Sequence, residues 1–434
     1  MNGSHCEPFF FAPVTSPGNQ RLGRGPRRNH PLDLDMKSLF LENIHPAAVA
    51  RLKACGMDVV TQKKGLDEHD LIAALDEVCI LGIRSRTQIT ARVLEKAKNL
   101  QAIGAYCIGT NQIDLDAASL NGVAVFNAPY SNTRSVAELV IAEIIFLIRR
   151  LHDKVVQAHK GVWDKSAENA REVRGKKLGI IGFGNIGSQV STLAEGMGMD
   201  VYYYDVVDKL TIGNATKVAT IPELLSIANI VTIHVDGNPS NKNLIGEEQF
   251  RLMNDGVILL NLSRGHVVNI DALARHLKGG KVAGAAIDVF PDEPKDGKEP
   301  FSSTLQGLPN VLLTPHIGGS TEEAQENIAD FVSSKLLDYV YSGSTSTSVN
   351  FPRINLPKSD GSQTHRLLHV HRNVPGVLSQ INGIFAKNNV NVLSQYLRTN
   401  ELIGYAIADV DKEYKDSLFD DLLRVDHTIK VRIV

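Results

Sequence analysis

The sequence predicts an α/β protein: two doubly wound parallel-sheet domains in succession, then a small ferredoxin-like βαββαβ domain. Three observations predict it. Short apolar runs alternate with helical patterns from Ser38 onward, and the same alternation restarts at Lys176. Beyond a Ser/Thr/Pro-rich stretch, the remaining residues read strand, helix, strand, strand, helix, strand.

In the first block, "SLFLEN", "DVVTQ", "VCILGI", "LQAIGAY" and "VAVFNA" have the makings of strands. Between them, "PAAVARLKAC", "DEHDLIAAL", "TARVLEKAK" and "DLDAASLNG" have those of helices. Pro46 suits the first helical position, and Gly56 and Gly122 stand where helices stop. A single long helix is expected from about Ser135 to His152. The second block supplies strands in "KLGII", "MDVYYYD", "NIVTIHV", "GVILLNL", "KVAGAAIDVF" and "NVLLTPHI". Their near-continuous apolar character fits strands covered on both faces. A helix from about Thr321 to Tyr341 is expected to cross back to the first domain. The expected organisation is therefore a leader over 1–35, a substrate-binding domain over 36–130 and 318–341, and a nucleotide-binding domain over 131–317. An aperiodic linker over 342–364 and a C-terminal domain over 365–434 complete it.

Composition narrows the function. A net charge of −2 over 434 residues gives no global basic excess to attract nucleic acid. No apolar run reaches the length of a membrane span. Cys6, Cys55, Cys79 and Cys107 are far apart and lack zinc-ligand spacing, so reduced, buried thiols and no metal are expected. The leader, with Arg21, Arg24, Arg27 and Arg28 among Gly and Pro, has neither a signal-peptide core nor an amphipathic transit helix, and the expected location is cytoplasmic.

"GFGNIG" places Gly182, Gly184 and Gly187 as G-x-G-x-x-G between a strand and a helix, and a second strand ends in Asp205. The glycines serve the tight turn, the approach of a pyrophosphate and the packing of helix on sheet. Asn185 and Ile186 open the helix whose N-terminal N–H groups face the anion. Asp205 would accept the adenine-ribose hydroxyls and repel a 2′-phosphate, so the expected cofactor is NAD.

Further polar residues fall where later strands end. Arg264 follows "NLS", Asp288 ends "AAID", Glu293 lies in the next loop, and His316 follows "LLTP". Ligands of open α/β sheets bind beyond the carboxyl ends of the strands, so these groups aim at one crevice. Imidazole suits the proton of a hydroxyl being oxidised, Glu293 would fix its tautomer, and Arg264 would clamp a substrate carboxylate. Gly318 and Gly319 would let the backbone pass close to cofactor or substrate. Arg84, Ser85 and Arg86 follow an earlier strand and Asn132 stands at the interdomain crossing, which places positive charge at a carboxyl edge of the first domain.

With "GFGNIG", "SRG", "AAIDVF-x-x-EP" and "TPHIGGST" in this order, the chain resembles the D-isomer-specific 2-hydroxyacid dehydrogenases, and within them the class carrying a C-terminal ACT domain. "IRSRTQIT", "AYCIGTNQIDLDAA", "SNTRSVAELVIAE" and "RGKKLGIIGFG" extend the resemblance over all but the leader. It implies a flavodoxin-like substrate domain, a Rossmann NAD domain and an ACT regulatory domain. It implies Arg264, Glu293 and His316 as the active site, with Leu262 and Ser263 beside the cofactor and Asp288 on the nicotinamide carboxamide. The implied reaction is oxidation of 3-phospho-D-glycerate (3-phosphoglycerate) to 3-phosphohydroxypyruvate at the entry to serine synthesis. The implied substrate loop is that of Arg84, Ser85, Arg86 and Asn132.

His371, Asn373 and Asn391 match positions implied to contact L-serine between ACT domains, and a homo-oligomer, a tetramer, follows from the same resemblance. Arg372 stands where an acid is usual, Asp236 where proline is, and His266 and Asn269 where Thr and Asp are. Other readings stay open on the sequence. They are another acid such as glycerate or 2-hydroxyglutarate, an NAD-sensing corepressor-like protein, and an ACT domain that only dimerises.

Overall fold

The computed structural model describes residues 36–294, 299–357, 364–411 and 416–434. The leader expected over 1–35 lies outside the described residues. The chain begins with β1 (Lys37–Phe40), α1 (Pro46–Ala54), β2 (Asp58–Thr61), α2 (Glu68–Ala74) and β3 (Ile80–Ile83). It continues with α3 (Ala91–Lys96), β4 (Ala102–Ala105), α4 (Leu115–Leu120) and β5 (Ala124–Phe126). These strands form a parallel sheet in the order β2-β1-β3-β4-β5, the flavodoxin-like winding. Local chemistry sets the helix starts: Pro46 sits in the first turn of α1, and the side chains of Asp67, Thr90 and Asp114 accept the first orphan N–H groups of α2, α3 and α4.

The helix expected from Ser135 to His152 is two helices, α5 (Thr133–Ile148) and α6 (Leu151–His159), with Arg150 left-handed between them at φ 52°. The break follows from where the last carbonyls go. Leu147 O accepts from Asn310 Nδ2 at 3.2 Å and Ile148 O from the Arg171 N–H, both outside the helix. No residue of α6 is buried.

The second sheet is built from β6 (Lys177–Ile181), α7 (Asn185–Gly196), β7 (Asp200–Tyr204), β8 (Thr216–Lys217), α8 (Ile221–Ile227), β9 (Ile230–Ile233) and α9 (Glu247–Leu252). β10 (Val257–Asn261), α10 (Ile270–Lys278), β11 (Val282–Ile287) and β12 (Val311–Leu313) complete it. Its strands are parallel in the order β12-β11-β10-β9-β6-β7-β8, so the winding reverses between β6 and β9 and opens a crevice there. α11 (Glu322–Ser342) then returns to the first sheet, where Ile328, Val332, Leu336 and Tyr339 share a core with Phe40, Ala102 and Phe126.

The segment expected as an aperiodic linker is, over 343–357, an ordered buried strap. Asn350 extends the edge of β5: its Oδ1 accepts from Val125 N–H and its Nδ2 donates to Val123 O. Thr345 Oγ1 donates to Pro352 O, and Ser344 Oγ to Ile354 O. Its Ser, Thr and Asn side chains replace water as partners of buried backbone, a use that composition does not reveal.

β13 (His365–Arg372), α12 (Val377–Lys387), β14 (Val392–Thr399), β15 (Ile403–Val410), α13 (Asp416–Leu423) and β16 (Thr428–Ile433) form the C-terminal domain, an antiparallel sheet ordered β14-β15-β13-β16. One face packs Leu367, Ala408 and Val431 against Ile381 and Leu418 of its own helices. The other, with Leu368, Val370, Tyr405 and Ile407, joins the core of α11 and the strap. Cys55, expected to be buried, is exposed because it ends α1 at the surface, while Cys79 and Cys107 are partly buried; all three are free thiols. Among the described residues, no helix is long and apolar enough to cross a membrane, and no cluster of residues has the makings of a metal site.

Candidate active site

The strand-to-helix turn after β6 meets the requirements of a dinucleotide cradle. Gly182 has φ +92°, and a Cβ there would strike the His234 carbonyl; a Cβ at Gly187 would strike the Gly182 carbonyl, so α7 could not approach the strand. A Cβ at Gly184 would meet nothing within 4 Å, leaving the backbone open on the side where a pyrophosphate approaches. Asn185 and Ile186 begin α7, whose first turn has no side-chain cap. Asp205 directly follows β7, and its Oδ2 accepts the Phe183 N–H at 2.8 Å, which locks the glycine turn to the carboxylate that would receive the ribose. The residues present fit NAD.

At the ends of β10, β11 and β12 the expected catalytic residues converge. His316 Nδ1 lies 2.8 Å from Glu293 Oε2, and Glu293 Oε1 accepts the Phe290 N–H at 3.0 Å. The Glu293 hydrogen bond raises the pKa of His316 above its ordinary value, against the opposing pull of burial. Burial pushes the Glu293 carboxyl up, but the hydrogen bonds from His316 and Phe290 outweigh it and leave its pKa below the ordinary value. Arg264 acts electrostatically on both groups. It also faces the loop after β4, sharing with Gly237, Gly109, Thr110, Asn111 and Asp114 a cleft of about 530 Å³. Gly265 makes the convergence possible, because a Cβ there would collide with the backbone of Phe290.

Asp288 is 1% exposed and both its oxygens serve the turn that carries His316. Oδ1 accepts from Thr314 Oγ1 at 2.6 Å and the Ile317 N–H at 2.8 Å, Oδ2 from the Gly318 N–H at 2.8 Å, while the Asp288 carbonyl accepts the His316 N–H. His316 itself has φ 55°, a left-handed conformation that costs about 1 kcal/mol or more outside glycine and persists where its surroundings over-determine it. The resemblance implies Asp288 for the nicotinamide carboxamide, and the structure adds that its carboxylate holds the turn carrying His316. Leu262 and Ser263 are buried at 7% and 6%, and Gly319 packs on the Asn132 amide.

Arg84 shares a cavity of about 760 Å³ with His45, Ser320 and Thr321 beyond the His316 turn, whereas Ser85 and Arg86 are exposed on the loop. Sequence reasoning missed the residue that holds this loop. Glu42, 7% exposed at the end of β1, accepts the Arg86 and Thr87 N–H groups at 3.0 and 2.8 Å. It also missed Asn261, whose Oδ1 accepts the Ser263 N–H and Oγ while its Nδ2 donates to Arg264 O. A polar residue closing an apolar strand was the available signal in both cases. Among the described residues, no hydrogen bond joins the effector candidates to one another. His371 is buried over Gly404 with Nδ1 3.3 Å from His369 Nδ1, Asn373 donates to Asn400 O, and Asn391 is exposed before β14.

Residues 141–318 match the NAD-binding domain of the D-isomer specific 2-hydroxyacid dehydrogenases, and residues 367–430 an ACT domain like that of the AHAS small subunit. The D-3-phosphoglycerate dehydrogenase of Haemophilus influenzae is 50% identical over 92% of this chain and 97% of its own length. The chain belongs to the D-isomer-specific 2-hydroxyacid dehydrogenases. D-3-phosphoglycerate dehydrogenase 1 of Saccharomyces cerevisiae is 44% identical, covering 98% of this chain and 95% of its own. Among solved structures, the D-lactate dehydrogenase of Aquifex aeolicus, in complex with NAD and lactic acid, superposes with a TM-score of 0.63 at 28% identity, over 73% of this chain and 99% of that one. The family is one of NAD-dependent oxidoreductases, and the cradle around Gly182 and Asp205 has the geometry that a dinucleotide requires.

Proposed function

We propose that the chain oxidises 3-phospho-D-glycerate to 3-phosphohydroxypyruvate, the first step of L-serine synthesis, as the named activity of its relatives suggests. The observation that carries the mechanism is the His316–Glu293 pair at 2.8 Å beside Arg264. With Nδ1–H donated to Glu293, the Nε2 of His316 is free to take the substrate hydroxyl proton, and Glu293 stabilises the imidazolium that forms. Arg264 holds the carboxylate and polarises the carbon–oxygen bond. NAD, when bound, takes up the hydride from that carbon. Arg84 would supply charge for the phosphate, together with Ser85, Arg86 and Asn132. Following NADH absorbance with 3-phosphoglycerate and, separately, with glycerate tests the reading. NADH formed only with glycerate overturns the substrate, and none with either overturns the chemistry.

The regulatory part of the reading is serine acting through His371, Asn373 and Asn391 at a seam between two ACT domains. Its physical support is the core that the ACT sheet shares with α11 and the strap. Self-association has separate support. Val155, Val156, Val162 and Trp163 lie on α6 and the segment after it, and Trp163 is 82% exposed, so this apolar arm finds no cover among the described residues. A homotetramer using the arm and the ACT domains fits these surfaces. Loss of activity in millimolar serine and the mass in solution test it.

A further inference from the structure

A pocket of about 420 Å³ opens where the C-terminal sheet meets α3 and α4, and it shares no lining residue with the cleft of Arg264. Its polar lining comes from both domains. Lys98 and Asn121 follow α3 and α4, Arg372 ends β13, and His427 and Lys430 belong to the last strand and the turn before it. Among the described residues, no carboxylate lines it. Three fixed cations and an imidazole thus face one small cavity without a counter-charge, an arrangement whose self-repulsion costs stability unless an anion enters.

The groups are also held in place. Lys430 Nζ donates to Leu100 O at 2.5 Å, and the stem of Lys430 packs on Gly122 so closely that a Cβ there would lie 2.9 Å away. The Arg372 N–H donates to His427 O at 2.9 Å, and His427 adopts a left-handed backbone with φ 65°. Burial, with Arg432 and then Lys98 nearby, brings the Lys430 pKa down to about 8 although Cys79 opposes the shift, the mark of an ammonium short of negative charge.

We infer that this seam is a binding site for a small phosphorylated carboxylate, distinct from the catalytic cleft. The volume suits a ligand of that size. Lys98 and Asn121 would meet one end and Arg372, His427 and Lys430 the other, so occupancy fastens the C-terminal sheet to the substrate domain. Anything that binds only the closed seam stabilises it by mass action.

Equilibrium titration of the full-length protein with inorganic phosphate and with phosphoglycolate, followed by ³¹P NMR and calorimetry, tests the site. The variants are the double substitution Lys98→Ala/Arg372→Ala, at exposed positions, and Arg84→Ala/Arg86→Ala in the substrate loop. Two saturable sites are expected in the parent. The seam variant should lose one or weaken it at least about 10-fold, the loop variant should keep that same site, and phosphoglycolate should bind the seam more tightly than phosphate. Unchanged binding in the seam variant, or loss of all binding in the loop variant, overturns the inference. Retention of both sites by the loop variant counts instead against the phosphate role of Arg84 and Arg86, leaving the seam site standing.

Discussion

Replacing Glu293 by Gln removes one charge and keeps a hydrogen-bond acceptor within reach of His316 Nδ1. The carboxylate raises the His316 pKa, so the change should lower it. A hydrogen bond between ionised partners is worth about 1.5–3 kcal/mol when sheltered. The two side chains are 52% and 37% exposed, which leaves about 0.7–1.4 kcal/mol after solvent screening. At 1.36 kcal/mol per unit, the shift is about 0.5–1 pH unit. Oxidation requires the neutral imidazole, so the acidic limb of the kcat/KM profile should move to lower pH. The plateau should fall about 10–100-fold, because the imidazolium formed during proton transfer has lost its counter-charge. The assay is the initial rate of NADH formation across the acid and neutral range in parallel with the parent protein. An acidic limb that stays where it was, or moves to higher pH, refutes the assignment of His316 as base and Glu293 as its partner.

His316→Ala should cut turnover by about 10²–10⁴-fold with NAD affinity kept, as measured by stopped-flow turnover and by nucleotide-fluorescence titration. Asp205→Ser should narrow the preference for NAD over NADP by about 10-fold or more in kcat/KM, since the carboxylate that repels a 2′-phosphate is gone. Asp288→Asn turns an N–H₂ group toward donors that need an acceptor. It should lower kcat by about 10-fold or more and cost about 1–3 kcal/mol in denaturant unfolding, with the loss in kcat exceeding any loss of NAD affinity. Arg366→Met should cost about 3–5 kcal/mol in the same unfolding assay, because it strands Asp409 together with the Ser342 and Pro357 carbonyls.

The elements carrying strong periodicity were legible in the sequence because their signals are local. The parallel strands announce themselves by apolar runs, and "GFGNIG" followed by Asp205 carries its own structural context. Arg264, Glu293 and His316 were legible because strand ends in an α/β sheet face one crevice. What escaped is non-local. Nothing near Asp288 in sequence reveals that both of its oxygens are spent on the 314–318 turn, and nothing near Glu42 reveals the loop of Arg86 that it anchors, because those pairings arise only when separate strands align. The break at Arg150 depends on Asn310, far along the chain. The strap over 343–357 has the composition of a solvated linker, since Ser, Thr and Asn serve water and buried backbone equally well.

That strap changes how the C-terminal domain is to be understood. A flexible tether would isolate an effector site from the catalytic groups, whereas here the connection is packed over 343–357. α11 begins six positions after His316 and runs to Ser342. At its end Gly343 is left-handed, and its carbonyl accepts from Tyr405 Oη of the C-terminal sheet at 2.8 Å. Arg366 of that sheet reaches Ser342 O and Pro357 O, at the two ends of the strap, while bound through two nitrogens to Asp409. The first sheet, α11, the strap and one face of the C-terminal sheet share a single core. Packed cores shift between discrete arrangements and do not deform gradually, so a ligand that moves the C-terminal sheet must carry α11 with it. Just before and at the start of α11, Ser320 and Thr321 line a cavity with Arg84, and Gly319 packs on Asn132. Regulation through this domain should therefore appear first in the geometry between the substrate loop and the His316 turn, and leave the dinucleotide cradle around Gly182 largely unaltered.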